Sequence, residues 1–256
     1  FCYDYTYDYL HNPTQRDYTG PLGETAFDES YSYDSLSRLL SFRRGSEATK
    51  TWELTALGNW RRIKKGSSVL DRREHNELNE ISKHEIKVGS SMVQVKPSSQ
   101  DHDLEGNLKA LCADNAASEN DYFTLKYDAW NRLCEIWYGS ALLRKYERDG
   151  LGRIVREETQ GKDYVYSAGW QVITEYTGEG SGQTTQEYVW GPRYIDELCM
   201  TYETPQGGGT PFLRYYLQDA NWNVVALLDS QGNDQELMVY DPYGRASFYQ
   251  RSNDYY

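Results

Sequence analysis

What this sequence is short of narrows its function first. No apolar run approaches the ~18–20 residues that a membrane-spanning helix needs, and no signal peptide is visible in it. Positive charge is scarce, with 27 Lys and Arg against 39 Asp and Glu and a net charge of −12. Phosphate backbones call for a positive field, so nucleic acid is not an expected partner. The single basic run, Arg61-Arg62-Ile63-Lys64-Lys65, reads as a solvated strand face. Cys2, Cys112, Cys134 and Cys199 are scattered with no C-x-x-C pair, which leaves a disulfide and buried free thiols equally open. Histidines number four, and His84-Glu85 has Val88 where the zincin H-E-x-x-H pattern needs its second His. Neither a metal nor a cofactor is expected.

Catalytic patterns are just as thin. Gly178-Glu179-Gly180-Ser181-Gly182 places its serine one position off a nucleophile elbow and has no strand–turn–helix frame. Neither it nor Gly207-Gly208-Gly209 has the strand–helix setting of a phosphate cradle. Carboxylates are too numerous for any pair to stand out as an acid and base. Apolar residues make up 38%, below the ~45–50% usual for globular domains. Tyrosine offsets part of that deficit with 24 residues, because its ring packs while its hydroxyl stays hydrogen-bonded. Such a composition suits a thin, two-faced sheet.

What is abundant is a repeated turn. Tyr127-Asp128-Ala129-Trp130-Asn131-Arg132-Leu133 and Arg148-Asp149-Gly150-Leu151-Gly152-Arg153-Ile154 are two copies of D-x-x-(G/N)-(R/N)-(L/I), 21 positions apart. The Asp side chain accepts a backbone N–H two residues on, and Gly or Asn three positions later tolerates the positive φ that closes the turn. The apolar residue that follows starts the next strand. In the same register stand Tyr33-Asp34 with Ser37-Arg38-Leu39, Thr55 with Gly58-Asn59-Trp60, Asn76 with Asn79-Glu80-Ile81, Asp103 with Gly106-Asn107-Leu108, and Tyr240-Asp241 with Gly244-Arg245. Units of 20–30 residues mark an architecture in which neighbours cover each other's apolar faces. The stretches between turns alternate as strands, notably 122–127, 133–138, 142–146, 154–159, 171–176, 186–190, 212–217, 224–228 and 236–240. Residues 71–85, charged and free of Gly and Pro, fit a short surface helix or a decayed hairpin.

These residues resemble the YD repeats of Rhs proteins, teneurins and the shell components of Tc-type toxins. The C-terminal half is similar to an Rhs core through Tyr188-Val-Trp-Gly-Pro-Arg-Tyr-Ile-Asp196, Tyr216-Leu-Gln-Asp-Ala-Asn-Trp-Asn-Val-Val225 and Tyr240-Asp-Pro-Tyr-Gly-Arg245. The resemblance covers roughly residues 31–246. It implies an all-β fold, an antiparallel YD-repeat sheet curled into a spiral or partial shell, and a non-catalytic role in encapsulating or displaying another polypeptide. It also implies an extracellular or cell-surface setting, with the signal outside this segment. In such shells the core ends in an aspartyl self-cleavage region built on D-P-x-G. Asp241-Pro242-Tyr243-Gly244 matches one such motif, but no second follows before Tyr256, so Asp241 is a lone catalytic carry-over and self-cleavage is not expected.

Residues 1–30 read as lead-in strands and loops, 31–246 as the repeat sheet with 122–246 Rhs core-like, and 247–256 as a tail. The start Phe1-Cys2-Tyr3-Asp4, already within Tyr-Asp pattern, reads as an internal piece of a longer chain. Its partners would then be the rest of that chain or further copies of itself, joined through open strand edges into a filament or oligomer. A separate reading is a glycan-binding module, in which Trp130, Trp137, Trp170, Trp190 and Trp222 offer stacking platforms for a surface glycan. Against it stands their use as cross-strand packing partners.

Overall fold

The computed structural model describes residues 2–20, 25–98, 101–113, 116–178, 184–205 and 210–249. Among them the chain is built from strands, 58% of it, with one 3-10 turn at Glu158–Gln160 and no α-helix. The first strands are β1 (Cys2–Tyr7), β2 (Pro13–Thr19), β3 (Glu29–Tyr33), β4 (Leu39–Arg44), β5 (Lys50–Leu54), β6 (Trp60–Lys65), β7 (Ser68–His75), β8 (Ile81–Val88) and β9 (Ser91–Val95). They form one antiparallel sheet in chain order. Then follow β10 (Ala110–Cys112), β11 (Tyr122–Tyr127), β12 (Leu133–Tyr138), β13 (Ala141–Arg148), β14 (Ile154–Glu157), β15 (Lys162–Tyr166), β16 (Val172–Thr177), β17 (Thr184–Trp190), β18 (Leu198–Thr204), β19 (Phe212–Gln218), β20 (Val224–Leu228), β21 (Asp234–Tyr240) and β22 (Ala246–Tyr249). These make a second antiparallel sheet, also in chain order. Neither sheet closes into a barrel. The chain divides into two units, Phe1–Ala141 and Leu142–Tyr256.

Residues 71–85 resolve as a hairpin. β7 and β8 pair from Asp71↔Ile86 to His75↔Ile81 around the Asn76 turn. Directly opposed pairs of opposite charge, Arg72 with Glu85 and Glu74 with Lys83, favour the hairpin. Ala246–Tyr249 continues the sheet beyond the last repeat turn, pairing with β21. The glycine-rich stretch at 179–183 and the Gly207–Gly209 run lie outside the described residues, as does most of the C-terminal tail.

The core is a ladder. In the first unit Phe42, Trp52 and Ile63 are buried, with Tyr31, Leu39, Leu54 and Trp60 packed against them. Tyr31 stands opposite Phe42 and Trp52 opposite Ile63, so directly paired side chains supply the apolar contact that a single sheet layer can make. In the second unit burial peaks at Val225 and Ala226 of β20 and Leu237, Met238 and Val239 of β21. Consecutive buried residues on one strand mean that both faces are covered there.

Charge is also buried. Glu29 at the head of β3 has a fully buried carboxylate, bonded at 2.8 Å by both Arg16 of β2 and Arg44 of β4. Tyr31 donates its hydroxyl to the same carboxylate, and the Arg16 guanidinium lies 4.7 Å from the Tyr3 ring centroid. On β8, His84 is buried between the Asp71 carboxylate (2.9 Å from Nε2) and the Lys96 carbonyl (3.1 Å from Nδ1). Both neighbours are acceptors, so both ring nitrogens donate and the imidazole is charged.

Candidate interaction rim

The repeat turns share one geometry. In each, the N–H of the first residue donates to the carbonyl four residues on, and the N–H of the fourth donates back to the first carbonyl. This holds for the turns that start at Asp8, Asp34, Thr55, Asn76, Asp103, Asp128, Asp149, Ser167, Asp219, Asp229 and Asp241. The fourth position always has positive φ: Gly58, Gly106, Gly152, Gly232 and Gly244 supply it without steric cost, while His11, Ser37, Asn79, Asn131, Trp170 and Trp222 adopt it as non-glycine residues.

The first side chain holds the loop. Asp34 Oδ1 accepts from the Leu36 N–H (2.9 Å) and the Arg38 N–H (3.0 Å), and its Oδ2 accepts from Arg38 Nε (2.6 Å). Asp128 with Arg132 and Asp149 with Arg153 repeat that arrangement, the latter two Nε–Oδ2 contacts both at 2.7 Å. Asn107 and Asn233 take the arginine's role at the Asp103 and Asp229 turns, with an amide donated to each aspartate. Hydrogen bonds led by the Arg38 amide hold the Asp34 carboxyl below its usual pKa, and bonds led by the Asn107 side chain do the same for Asp103. Thr55 keeps only the bond from the Asn59 N–H, at 3.1 Å.

The tyrosine before the first turn residue has its own task. Tyr127 donates its hydroxyl to the Leu108 carbonyl (2.8 Å), Tyr166 to the Ile154 carbonyl (2.7 Å) and Tyr240 to the Val224 carbonyl (2.8 Å). Each acceptor is the residue that follows the five-residue block of a preceding turn. One repeat is thereby tied to the one before it. A register shift lies just ahead of the turn, as at Ser32/Tyr33 and Lys126/Tyr127, so that Tyr33 pairs with Leu39 and Tyr127 with Leu133. This irregularity adds local twist.

Because strand order follows chain order, the Asp8, Asp34, Thr55 and Asn76 turns all lie on one edge of the first sheet, about 10 Å apart at two strand spacings each. They interlock through side chains. Asn12 Nδ2 donates to Ser37 Oγ (3.1 Å), Arg38 Nη1 to the Ala56 carbonyl (3.1 Å), and Asn59 Nδ2 to Asn79 Oδ1 (3.1 Å). Asn107 Nδ2 reaches Asn131 Oδ1 at 2.9 Å in the same way. In the second unit the block at 191–197 replaces the usual turn. Arg193 pairs there with the buried Glu197 carboxylate, and the loop receives Gln171 on the Ile195 carbonyl (2.8 Å) and Gln218 on the Asp196 carbonyl (2.7 Å).

The third turn position points its side chain outward, and it is often large and apolar. Leu36, Leu57, Leu78 and Trp130 are 68%, 75%, 77% and 74% exposed. The five candidate tryptophans divide accordingly. Trp130, Trp170 and Trp222 sit in turns, and each faces an arginine: Arg132 at 5.1 Å from its ring centroid, Arg153 at 5.6 Å and Arg193 at 5.4 Å. Tyr194 stacks on Trp222 at 5.2 Å. Trp137 and Trp190 are half-buried on strands β12 and β17, where their indole N–H groups donate to Glu135 (2.7 Å) and the Val172 carbonyl (2.6 Å). A cleft of about 590 Å³ opens between the Asp103 and Asp128 turns, lined by Asn107, Lys109, Tyr127 and Asn131 among others.

Asp241 is engaged as a turn residue, accepting from the Tyr243 and Arg245 N–H groups at 3.0 Å each. The four cysteines are free thiols. Among the described residues no three His, Cys, Asp or Glu side chains gather as metal ligands, and no helix is long and apolar enough to cross a membrane.

No family model matches the chain, and neither does any curated protein. Solved structures do. The structure of a Photorhabdus luminescens Tc holotoxin pore matches 97% of this chain and 13% of that chain, at 16% identity and a TM-score of 0.50. The crystal structure of TcdB2-TccC3 matches 98% of this chain and 20% of that one, at 12% identity and a TM-score of 0.41. This chain therefore spans between 13% and 20% of the length of those two solved chains. The likeness to the holotoxin structure is one of fold.

Proposed function

We propose that this chain is a structural segment of a YD-repeat scaffold that encapsulates or displays another polypeptide. The observation that carries the reading is the interlocked rim. Its aspartates, arginines and tyrosines are consumed in holding one turn to itself and to the next, which is the chemistry of a rigid surface. The fold shared with a Tc holotoxin component supports it, as do the Tyr127-Asp128 and Tyr240-Asp241 motifs. An extracellular or cell-surface setting belongs to the same reading, with residues 31–246 as the repeat sheet. A protease-cleavable reporter fused to the C-terminus tests it under native conditions. A display scaffold loses the reporter while the sheet stays intact, and an encapsulating one protects both. Digestion of the sheet as fast as the reporter would overturn the reading.

A second reading is favoured by one observation, the solvent-facing Trp130 beside the cleft at the Asp103 turn. In this reading the module stacks a glycan on Trp130, with the neighbouring amides bonding sugar hydroxyls. Trp130→Ala then abolishes retention on a glycan array while the melting temperature holds. Equal retention by the wild type and Trp130→Ala ends it.

A further inference from the structure

The two turn edges of the first sheet differ in charge as well as in relief. Along the edge formed by the Asp34, Thr55 and Asn76 turns, Leu36, Leu57 and Leu78 protrude at one regular interval. The ionic side chains of these turns are Asp34, Arg38, Glu77 and Glu80, and Arg38 is bonded to Asp34. The unpaired balance is acidic, with Glu77 exposed. At the opposite edge, beside the β2–β3 connection, the β4–β5, β6–β7 and β8–β9 connections are built of Gly, Ser, Ala, Thr and Glu47, with no large apolar residue at their tips. Exposed Arg43, Lys65 and Lys87 flank them, against Glu47, which bonds Lys65 at 2.7 Å. Over these three connections the edge is basic and low.

Both edges repeat every two strands, so the spacing of the leucines on one equals the spacing of the connections on the other. We infer that the leucine-bearing edge of this sheet docks on the glycine edge of a second copy of the chain. Leu36, Leu57 and Leu78 would seat between successive short connections, with Glu77 facing Lys87 or Arg43. A pair of like edges has the same spacing but sets acidic turn against acidic turn, which disfavours it. Contact between unlike edges is heterologous, so it propagates head to tail and does not stop at a dimer. It uses turns where the strand-pairing route to a filament uses the edge strands β1 and β9, and the two are separable by mutation.

Sedimentation velocity on the full chain from low to high micromolar concentration tests the inference. The expected result is concentration-dependent association that weakens with added salt. Leu57→Asp is expected to weaken it by roughly tenfold or more, as burial of one leucine predicts. Glu77→Lys and Lys87→Glu, both exposed and remote from the core, are each expected to weaken it several-fold, and the double charge reversal to restore it. Circular dichroism melts establish that each variant is folded. A chain that stays monomeric at several hundred micromolar overturns the inference. So does association that none of these variants changes, which would assign assembly to the strand edges.

Discussion

The two edges of the first sheet solve the same problem, reversing a strand, by different physical means. On one, a side chain does the work: Asp34 accepts two backbone amides and an arginine, and the loop is held whatever residue occupies its tip. On the other, the backbone does it, through Gly45 at φ +48° and Gly66 at φ +58°, whose N–H groups extend the ladders to the preceding strands at the Asp28 (2.8 Å) and Thr49 (2.9 Å) carbonyls. The first solution frees the tip for large residues such as Leu36 and Leu57. The second leaves small tips and places the burden on residues behind them, above all the Arg16–Glu29–Arg44 cluster at the strand ends. Tolerance to substitution is therefore expected to differ sharply between the edges.

The strongest way to break this contrast is at Glu29. Glu29→Ala leaves two arginines buried at the glycine edge without their counter-charge, and removal of one member of a buried ionic cluster costs about 3–5 kcal/mol. Urea unfolding is the measurement, with an unchanged slope and a lower midpoint expected. A loss below about 1 kcal/mol would mean that the cluster is a surface feature and that the edge is held by its glycines alone.

Between the edges, His84 ties β8 to β7. Burial alone would lower its pKa, but the Asp71 hydrogen bond and charge, with Cys112, outweigh that and raise it from 6.5 to about 9. Because the folded value lies above the unfolded one, the stabilisation is complete below about pH 6.5 and disappears as pH rises through about 9. Its size is on the order of 3 kcal/mol for a shift of this extent. Stability measured from pH 6 to 10 is expected to fall across that window in the wild type and to be flatter in His84→Gln. At the repeat turns the sign is opposite. Asp34 and Asp103 have lowered pKa values, so their contribution is present above about pH 4 and is lost as pH falls below it.

How far the sequence announced all this depends on where each interaction is encoded. The turns at Asp128, Asp149 and Asp241 are local, five residues reporting on themselves, and are legible as spelled. Those at Ser167 and Asp219 hold the same hydrogen bonds but place Trp170 and Trp222 at positive φ, a position where a search for Gly or Asn passes them by. Trp222 reads there as a binding platform, and its backbone place in the turn goes unnoticed. Asp8 with His11 and Asn12 escapes for the same reason. The spacing of Tyr127 to Leu108 was present in the sequence, but the hydroxyl bond that explains the tyrosine depends on the fold of the preceding repeat. The Glu29 cluster and the His84–Asp71 pair were not legible, because register across β2, β3, β4, β7 and β8 decides which charges meet. Trp137 and Trp190 share a residue type with Trp130, yet strand positions half-bury them.

A finer comparison sets one glycine against another. A Cβ at Gly45 would lie 2.6 Å from the Ala26 carbonyl oxygen, a backbone atom that cannot step aside, and φ is left-handed as well. At Gly58 the nearest atoms belong to the flexible Arg38 side chain, at 3.6 Å. Gly45→Ala is expected to cost about 2 kcal/mol or more by adding a clash to the left-handed penalty. Gly58→Asn is expected to stay within about 0.5 kcal/mol, since Asn79 and Asn131 already occupy the equivalent position. Equal losses at the two sites, read from thermal melts, would remove the distinction between the edges.

The smallest effect is a gain. Thr55 heads a turn in the Asp34 row but offers one oxygen, bonded to the Asn59 amide alone. Its neighbours at Asp34 and Asn76 each accept a second amide, from Leu36 and Leu78. The Thr55 carbonyl already accepts from Arg38 Nη1 at 3.3 Å, so a carboxylate at position 55 would also lie near a cation. Thr55→Asp should complete the turn and raise stability by about 0.5–1 kcal/mol, the range for a surface turn optimised to its own geometry. Matched melts at pH 7 and pH 3 separate the cause: the gain should be present at the first and clearly smaller at the second, where a growing share of the new carboxyl is protonated and accepts poorly. A gain undiminished at pH 3 would mean that Asp acts there through the unfolded chain, and that the turn edge is held less by its carboxylates than by the loop itself.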